Sequence, residues 1–576
     1  MQLVFDIETD DLKATLVHCI VAQDVETGEI FKFPPDKLQE GYELLTKADT
    51  LIGHNIIGFD IPVVEKFGGI DLSKKPVIDT LVLSRLFNPN REGGHSLEKW
   101  GYKLGYHKID FTDYLNYSRE MMEYCVRDVQ LNAVVLKELR RESKGFSKDC
   151  ITIEQGVAGI IKQQEVNGFK FDTKHGLLLL AELREKKQAI EDEVHNTFKP
   201  KWVDYKLVTP YIKKDGELSK RGMSEEEYDN CIKTQKLEPF MRQKLVDFNL
   251  GSRKQIGEYL IDFGWKPERF TPTGQPIVDE KTLSAITHIH EANLIAQFLL
   301  LQKRIAQIDS WIEATEDDGR VHGFVIPNGA ITGRMTHRSP NMAQVPAVYS
   351  PYGKECRACW TVEEGNVLIG VDASGLEIRM LAHYMDDEEY TNEILNGDIH
   401  TANQKLAKLE SRDKAKTFIY ALMYGAGDEK LGSVVGGNTA DGKRARQYFF
   451  DNKPTFKSLR DRVQRASTKK YLKGLDGRKL YVRNQHSALN TLLQGAGAIV
   501  MKQALVLLDE VLKLNDMEYK FVANIHDEWQ IEAPKCHADK VGKLAVDSII
   551  KAGTYFNLRC PLDGEYKIGG DWSETH

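Results

Sequence analysis

Apolar residues follow two different periods along the chain, and the change of period predicts its elements. Short, nearly continuous apolar runs at 3–9, 50–53 and 368–372 are typical of buried strands. Segments 151–167 and 175–198 carry apolar residues at helical spacing instead. This mixture of strands and helices indicates an α/β protein with more than one domain.

Residues 199–247 have a less regular pattern, with positive and negative side chains nearly balanced in number. Ser224 and Glu227 have the spacing of a capping box, which predicts that a helix begins there. We interpret 199–247 as a solvated insertion. Helical spacing returns at 252–260 and around 302–305, and such paired helices with Lys and Arg side chains suit a clamp that reaches the phosphates of a duplex.

The segment 412–424 contains neither proline nor glycine and is followed by Gly425, which predicts a helix that ends there. Four residues recur at every fourth position: Arg412, Lys416, Tyr420 and Tyr424. A helix places them on one face, with the cations at the N-terminal end where the helix dipole also favours anions. A solvated charged face with two core tyrosines is the alternative. We interpret the segment as a nucleotide-binding helix whose cations hold a triphosphate.

Length, charge and cysteine content limit the possible domain number and functions only in part. The 576 residues suggest about four domain-sized units. The net charge of −7 does not exclude nucleic acid as a partner, because binding depends on local patches rather than on the total. Eight cysteines in a chain of this length do not form a disulfide framework, and we expect the one close pair, Cys356 and Cys359, to be structural rather than a zinc site.

The expected location is the cytoplasm. No apolar run is long enough to predict a membrane span. The chain enters an apolar strand almost at its first residue, which leaves no room for a signal peptide.

Two carboxylates lie on the first predicted strand. Asp6 and Glu8 are two positions apart, so they lie on the same face of the strand. Unpaired carboxylates this close repel each other, and a divalent cation with oxygen ligands would remove the penalty. A solvated strand end is the alternative. Further along, Asp60 follows the strand at 50–53, and Tyr124 and Asp128 lie on one face of a predicted helix.

Together these residues resemble the three exonuclease motifs of the DnaQ-like family. The resemblance implies a ribonuclease H-like domain over 1–150 with two-metal 3′–5′ exonuclease activity. It assigns two metal ions to four carboxylates, those of Asp6, Glu8, Asp60 and Asp128. It assigns the positioning of the attacking water to Tyr124. Asp79 is expected either to be structural or to lie just behind the metal ligands, and no role is assigned to it.

A second group of carboxylates occurs in the C-terminal half. Asp372 ends an apolar strand, and Glu377 follows in the turn that enters a helix. Asp527 and Glu528 lie at the predicted tip of a hairpin over 521–532. Buried salt bridges are the alternative for each aspartate. If the fold brings the two aspartates together, they form a second two-metal site opposite the cationic helix.

The ordered set of motifs resembles family A DNA polymerases. Motifs A, B and C of that family are similar to Asp372-x-Ser-x-x-Glu377, to the Arg412 to Gly425 stretch and to His526-Asp-Glu528, respectively. The residues in these motifs most resemble those of replicative polymerases of short-tailed bacteriophages. The resemblance implies template-directed DNA synthesis with proofreading, for phage genome replication. It also implies a right-hand fold, with an antiparallel palm sheet and helical thumb and fingers. The implied segments are thumb and connecting helices at 151–330, palm at 331–400, fingers at 401–480 and palm again at 481–576.

The resemblance implies these residue roles. Two Mg²⁺ ions, with Mn²⁺ as a substitute, are assigned to Asp372, Ala373 and Asp527, with Glu528 in support. Nucleotide contacts are assigned to His400, Arg412, Lys416, Tyr420 and Tyr424. Glu377 is assigned a place beneath the sugar, where it excludes a 2′-hydroxyl. DNA contacts are assigned to Arg334, Arg483, Gln494 and His526.

The implied partners are primer–template DNA, dNTPs, a replicative helicase–primase and a single-stranded DNA-binding protein. The phage enzyme that the chain most resembles carries a larger basic thumb loop, which recruits host thioredoxin. Residues 199–247 occupy the corresponding place but are shorter and nearly neutral. We therefore expect no dependence on thioredoxin.

Three other functions fit parts of the pattern. A single-subunit RNA polymerase shares the two aspartates, but Glu377 and the exonuclease motifs argue against it. A nuclease with an inactive polymerase half would not need the complete set of triphosphate-binding positions. A DNA clamp without catalysis needs neither carboxylate cluster.

Overall fold

A computed structural model describes residues 1–576. The chain divides into two compact units, one of Met1–Asp172 with Ala314–His576 and one of Thr173–Glu313. The second unit lies within the segment 151–330 that was expected to form the thumb and connecting helices. Residues 151–172 and 314–330 belong to the larger unit, because the helix that contains 151–167 packs into that unit's core.

The N-terminal part of the larger unit carries a five-stranded sheet in the order β3-β2-β1-β4-β5. Its strands, and the short strand that follows them, are β1 (Gln2–Thr9), β2 (Val17–Asp24), β3 (Ile30–Phe33), β4 (Thr50–Gly53), β5 (Val77–Asp79) and β6 (Phe169–Phe171). The helices are α1 (Leu38–Lys47), α2 (Asp60–Gly68), α3 (Thr80–Phe87), α4 (Leu97–Leu104), α5 (Arg119–Glu142) and α6 (Lys148–Asn167). The predicted strands at 3–9 and 50–53 are confirmed.

Strand β1 is central and has both faces covered. Phe5 packs into an apolar cluster on one side of the sheet, and Val4 packs into a cluster with α5 on the other. β1 runs antiparallel to β2 and parallel to β4. A strand buried on both faces explains why its sequence is nearly continuous in apolar residues.

The second unit contains α7 (Thr173–Thr197), β7 (Lys201–Val208), α8 (Glu225–Thr234), β8 (Phe240–Val246), α9 (Arg253–Asp262), α10 (Glu280–Ala285) and α11 (His290–Glu313). The predicted capping box of Ser224 and Glu227 is confirmed. The stretch 199–247 is more regular than expected, because β7 and β8 pair as an antiparallel ribbon. Its residues are largely exposed and include the apolar side chains of Trp202 and Tyr205.

The C-terminal part of the larger unit is built on a four-stranded antiparallel sheet in the order β16-β17-β13-β18. The strands of this part are β9 (Arg320–Val321), β10 (Phe324–Ile326), β11 (Thr336–Arg338), β12 (Trp360–Thr361), β13 (Asn366–Ala373), β14 (Tyr471–Lys473), β15 (Lys479–Tyr481), β16 (Lys520–Ile525), β17 (Glu528–Pro534) and β18 (Gly564–Gly569). The predicted hairpin over 521–532 is confirmed as β16 and β17.

Helices surround this sheet and share one apolar core with it. They are α12 (Gly353–Ala358), α13 (Leu376–Met385), α14 (Glu388–Asn396), α15 (Ile399–Ala407), α16 (Arg412–Met423), α17 (Asp428–Val435), α18 (Thr439–Asn452), α19 (Pro454–Ala466), α20 (Ala488–Leu514) and α21 (Ala538–Tyr555). The core runs from Val157 on α6 through α20 to Ile549 on α21.

One helix differs from the expectation that no segment could span a membrane. The segment Gln485–Leu514, which contains α20, is long and apolar enough to do so by length and composition. However, 83% of its apolar window is buried inside the protein, which is typical of a core helix.

Candidate active sites

The edge of the four-stranded sheet brings the two remote aspartates together. β13 pairs with β17 so that Asp372 lies directly opposite Glu528. The backbone N–H of Ala373 donates a hydrogen bond of 3.2 Å to the carbonyl oxygen of Asp527. Asp527 occupies the turn between β16 and β17, next to His526, whose φ of +59° lies in the left-handed region. The juxtaposition predicted for Asp372 and Asp527 is therefore present.

Burial and neighbouring carboxylates destabilise the ionised forms of these two aspartates. Burial, with the nearby carboxylates of Asp527 and Glu528, raises the pKa of Asp372 to about 7. Burial also raises the pKa of Asp527 above its ordinary value. Neither side chain forms an ion pair, since Arg334 pairs with Glu377 and His576 pairs with Glu528. Two half-buried carboxylates that form no ion pair with a protein side chain fit a divalent cation with oxygen ligands.

The Glu528 side chain is occupied by protein donors instead. Its Oε1 accepts hydrogen bonds of 2.6 Å from Trp572 Nε1 and from Gln530 Nε2. Its Oε2 lies 2.9 Å from His576 Nδ1. Although burial opposes ionisation, the His576 and Trp572 contacts hold the pKa of Glu528 below its ordinary value. Glu528 therefore stabilises the edge of the sheet, and both of its oxygens are occupied by protein donors. Its predicted support of the metal site stays a prediction.

Helix α16 presents the predicted stripe. The Ser411 side chain caps its N-terminus, and Phe418 and Ile419 are completely buried on the opposite face. Arg412 and Lys416 are exposed. Gly425 follows with a φ of +78°, and a Cβ atom there would approach the carbonyl oxygen of His486 to 2.2 Å. The helix end is thus fixed by a position that only glycine fits.

Contacts at both ends of α16 tie the stripe to its surroundings. At the N-terminal end, Arg412 Nε donates a hydrogen bond of 2.7 Å to Asp398 Oδ2. Further along, the rings of His400 and Tyr420 have centroids 6.4 Å apart. Burial and the charges of Arg412 and Lys416 lower the pKa of His400, which favours a neutral imidazole. His400 therefore lies on the same surface as the stripe, as predicted.

Glu377, on α13, contacts both the residue that follows α16 and the segment before β11. The Tyr424 hydroxyl donates a hydrogen bond of 2.5 Å to Glu377 Oε2, and Arg334 Nη2 donates one of 2.8 Å to Glu377 Oε1. Both carboxylate oxygens are therefore fixed. Tyr420 of the stripe lies near enough to Glu377 and Asp527 for both charges to raise the pKa of its phenol.

Of the four predicted DNA contacts, two lie together. Arg334 and His526 line the same small recess, next to Trp529. Gln494 is half-buried on α20, and Arg483 is exposed in the segment that precedes α20. Their roles remain predictions.

The first sheet carries the other carboxylate cluster. Asp6 and Glu8 lie on β1, and Asp60, the first residue of α2, accepts a hydrogen bond of 3.2 Å from the backbone N–H of Ile7. Asp128 lies on α5, which packs across β1. Ligand atoms of Asp6, Glu8 and Cys125 lie within 4.8 Å of one another. Asp6 and Glu8 thus share one site, and Asp60 and Asp128 are near enough for their charges to act on Asp6.

Electrostatics again favour a cation at this cluster. Burial, followed by neighbouring acidic groups, raises the pKa of Asp6 well above its ordinary value and that of Glu8 to about 9. Burial raises the pKa of Asp60 to about 7. Asp128 Oδ1 is buried and accepts no hydrogen bond. A buried carboxylate oxygen without a partner fits a metal ligand.

Tyr124 lies beside this cluster within a group of aromatic rings. Its ring stacks on Phe111 at a centroid distance of 5.3 Å, and its hydroxyl accepts a hydrogen bond of 3.4 Å from Tyr114. Burial raises the pKa of Tyr124 above its ordinary value, so the phenol stays neutral. A neutral, fixed hydroxyl is suited to orient a water molecule.

Asp79 is structural, one of the two alternatives expected for it. Its carboxylate accepts backbone N–H groups from Asn55 at 3.0 Å, Ile57 at 3.2 Å and Leu81 at 2.9 Å. It therefore joins β4 to the start of α3. Helix α3 begins at Thr80, because Ile78 and Asp79 complete β5 beside β4.

Four side chains at these sites were missed by the motif patterns. They are Lys108 at the first cluster and Gln530, Trp572 and His576 around Glu528. None is part of a recurring local pattern, and three of the four are fixed by contacts between distant segments. Gln530 alone could have been found from the sequence, because it is two residues from Glu528 on a predicted strand and therefore lies on the same face of that strand.

Comparisons with known proteins agree with this arrangement. The model of DNA polymerase family A matches residues 222–574. The chain is 34% identical to the DNA-directed DNA polymerase of Enterobacteria phage T3 and 33% identical to that of Escherichia phage T7, and each alignment covers 100% of both chains.

A solved structure shows the same fold. The chain is similar to the polymerase domain of Pol1 from M. smegmatis in complex with DNA primer-template and dNTP, with a TM-score of 0.79 and 18% identity, over 99% of this chain and 95% of that one. The family match covers more than half of the chain and includes both aspartates and helix α16. With two relatives aligned from end to end, the chain belongs to DNA polymerase family A.

Proposed function

We propose that this family A polymerase extends a primer 3′ end with dNTPs at Asp372 and Asp527, and removes mispaired 3′ nucleotides at the cluster of Asp6, Glu8, Asp60 and Asp128. The observation that carries the proposal is the meeting of Asp372 and Asp527 opposite a helix with an exposed cationic stripe. The relatives' names supply the DNA-directed reaction. Replication of a phage genome is the corresponding biological role.

At the polymerase site, Asp372 and Asp527, together with the Ala373 carbonyl, would hold two Mg²⁺ ions, or Mn²⁺ in their place. Metal bound there activates a hydroxyl nucleophile and neutralises charge on a phosphoryl leaving group. Arg412 and Lys416 bind the triphosphate through charge-assisted hydrogen bonds. The neutral His400 adds a donor without a further charge.

The sugar and the template are positioned by other side chains. Tyr420 lies between the triphosphate-binding cations and Glu377, and Glu377 is fixed by Tyr424 and Arg334 beneath the sugar. Arg334, Arg483, Gln494 and His526 contact the primer–template. At the exonuclease site, Asp6, Glu8, Asp60 and Asp128 would hold two further ions, and Tyr124 orients the water. The sheet order β3-β2-β1-β4-β5, with three antiparallel strands followed by two parallel ones, supports a ribonuclease H-like domain.

The test uses the purified chain on a labelled primer annealed to a longer template. With all four dNTPs and Mg²⁺ we expect extension to the template end. Without dNTPs we expect shortening of the primer from its 3′ end. Extension without shortening would contradict the exonuclease, and shortening without extension would favour a dedicated nuclease.

The proposed partners are a helicase–primase and a single-stranded DNA-binding protein, and we expect no dependence on thioredoxin. Primer extension on a long single-stranded template, scored as product length per binding event, should be the same with and without thioredoxin. Longer products with thioredoxin would contradict this expectation and would assign 199–247 a partner.

Glu377→Ala is expected to relax sugar selection. The fixed carboxylate excludes a 2′-hydroxyl sterically, so its removal should raise the rNTP to dNTP incorporation ratio by about a hundredfold or more. Single-nucleotide insertion kinetics measure the ratio. Glu377→Gln keeps the volume and should retain most of the exclusion. Equal ratios in Glu377→Ala and the unmodified enzyme would contradict the assignment.

Metal removal is expected to make stability depend on pH. Burial raises the pKa of Asp372 and of Asp60 to about 7 and that of Glu8 to about 9. In the unfolded chain such groups titrate near pH ~4. The native state binds these protons more tightly, so the stabilisation is fully present below pH ~4 and is lost as pH rises through about 7 and 9.

Mg²⁺ binds the ionised carboxylates and should therefore restore more stability at high pH. We expect the melting temperature gained on adding Mg²⁺ to be a few degrees larger at about pH 9 than at about pH 6. Thermal melting in EDTA and in Mg²⁺ at both pH values measures this. An Mg²⁺ effect that does not change with pH would contradict the prediction.

A further inference from the structure

Lys108 lies at the carboxylate cluster of the first sheet but belongs to none of its motifs. It is in the segment that connects α4 and α5. Its Nζ lies 2.5 Å from Asp128 Oδ2, and its side chain is only 22% exposed. The same Nζ lies 4.7 Å from the ring centroid of Tyr124. One ammonium group thus contacts both α5 residues of the proposed exonuclease site.

Lys108 is surrounded by acidic side chains, whose charges act on it as they ionise. The carboxylates of Asp6 and Glu8 add to the field of Asp128 at this ammonium. No other Lys or Arg forms an ion pair with the four carboxylates of the cluster, so Lys108 is their resident counter-ion. Partial burial strengthens each of these interactions, because solvent screens them less.

Lys108 and a divalent cation would both bind the carboxylate of Asp128. The ammonium occupies Asp128 Oδ2, while Asp128 Oδ1 is buried and without a partner. A cation bound among Asp6, Glu8 and Asp128 would also lie close to the positive charge of Lys108, and like charges repel. Lys108 must therefore move away from Asp128 or weaken the binding of the metal.

We propose that Lys108 is a positioning residue of the exonuclease site that acts as a built-in counter-ion. It stabilises the carboxylate cluster and the Tyr124 ring when no metal is bound, and it sets the metal concentration that the exonuclease needs by competing for Asp128. This proposal rests on the proposed exonuclease function. It predicts that removing the charge of Lys108 lowers the stability of the metal-free protein but raises its affinity for metal. Both effects have one cause, because the same charge stabilises the carboxylates without metal and repels a metal ion.

The test compares Lys108→Met with Lys108→Arg, both in an Asp372→Asn background so that metal binding at the polymerase site is weakened. In EDTA, Lys108→Met should melt several degrees lower than the parent, since it leaves buried carboxylates without a counter-ion. In a Mn²⁺ titration followed by calorimetry, it should bind Mn²⁺ about tenfold more tightly. Lys108→Arg keeps the charge and should resemble the parent in both measurements.

Exonuclease assays complete the comparison. The Mn²⁺ and Mg²⁺ concentrations for half-maximal 3′ shortening should fall by a similar factor in Lys108→Met. Lys99→Met, which removes an exposed lysine of the same domain that pairs with Glu98, is the matched control and should change none of these quantities.

The outcomes separate the two hypotheses. Unchanged or weaker Mn²⁺ binding in Lys108→Met would overturn the counter-ion proposal, even if the enzyme shortens primers. A protein that shortens no primer at any metal concentration would overturn the exonuclease function, while tighter Mn²⁺ binding in Lys108→Met would still support the role of Lys108 at the cluster.

Discussion

Replacing Asp372 with asparagine is expected to reduce primer extension by at least about a thousandfold while 3′ shortening continues at its normal rate. Asp372 is half-buried next to Asp527 and forms no ion pair with a protein side chain, so its carboxylate is available to a metal. Asparagine keeps the shape but removes the charge. The measurement is single-turnover extension and shortening with the same labelled primer.

The reciprocal change separates the two sites. Asp6→Asn should abolish 3′ shortening by a similar factor and leave extension unchanged, because Asp6 lies on β1 of the first sheet, apart from β13. Asp79→Asn is the matched control for the first sheet, since this buried aspartate binds backbone N–H groups instead of facing the cluster. It should affect stability more than either rate. Loss of both activities in Asp372→Asn would contradict two separate sites.

Tyr420→Phe is expected to make the enzyme reject dideoxynucleotides that the unmodified enzyme uses readily. The resemblance to family A polymerases implies that a tyrosine hydroxyl here replaces the missing 3′-hydroxyl of the sugar. Tyr420 is half-buried on the stripe of α16 and lies in the field of Glu377 and Asp527, where an incoming sugar would be placed. Without this hydroxyl, the site can no longer replace the missing 3′-hydroxyl of a ddNTP. We therefore expect the variant to favour the dNTP over the ddNTP by about a hundredfold or more.

Insertion kinetics with matched dNTP and ddNTP pairs measure this discrimination. Tyr424→Phe is the control, because it removes a hydroxyl one turn further along the same stripe. The Tyr424 hydroxyl binds Glu377, so its loss should loosen sugar selection at the 2′ position and leave the ddNTP ratio unchanged. Equal dideoxy/deoxy ratios in Tyr420→Phe and the unmodified enzyme would refute the role of Tyr420.

The acidic, cationic and aromatic residues of the candidate sites were largely predictable from the sequence. The side chains that hydrogen-bond or pair with them were not. A spacing of two residues placed Asp6 and Glu8 on one face of a strand. An i, i+4 spacing placed Arg412, Lys416 and Tyr420 on one face of a helix. Both spacings are local properties of the backbone. The donors around Glu528 and the ammonium of Lys108 come from segments with no repeating pattern, so no local rule indicates them.

Domain limits were predictable only approximately. Helix α6 has the same apolar period as α7, so no feature of the sequence indicated a domain boundary between them. The structure places α6 in the core of the larger unit and α7 in the second unit. A periodic apolar face shows that a helix is buried on one side, but it does not show which neighbour buries it.

Local spacing alone determined which side chains share a face of β1 and of α16, where α16 ends, and which residue types could hold metal and triphosphate. Only the tertiary structure decided that β13 pairs with β17, which brings Asp372 to Asp527, and that Lys108 approaches Asp128. The physical reason is that backbone periodicity fixes directions within one element, whereas strand pairing and side-chain approach depend on the packing of the whole core.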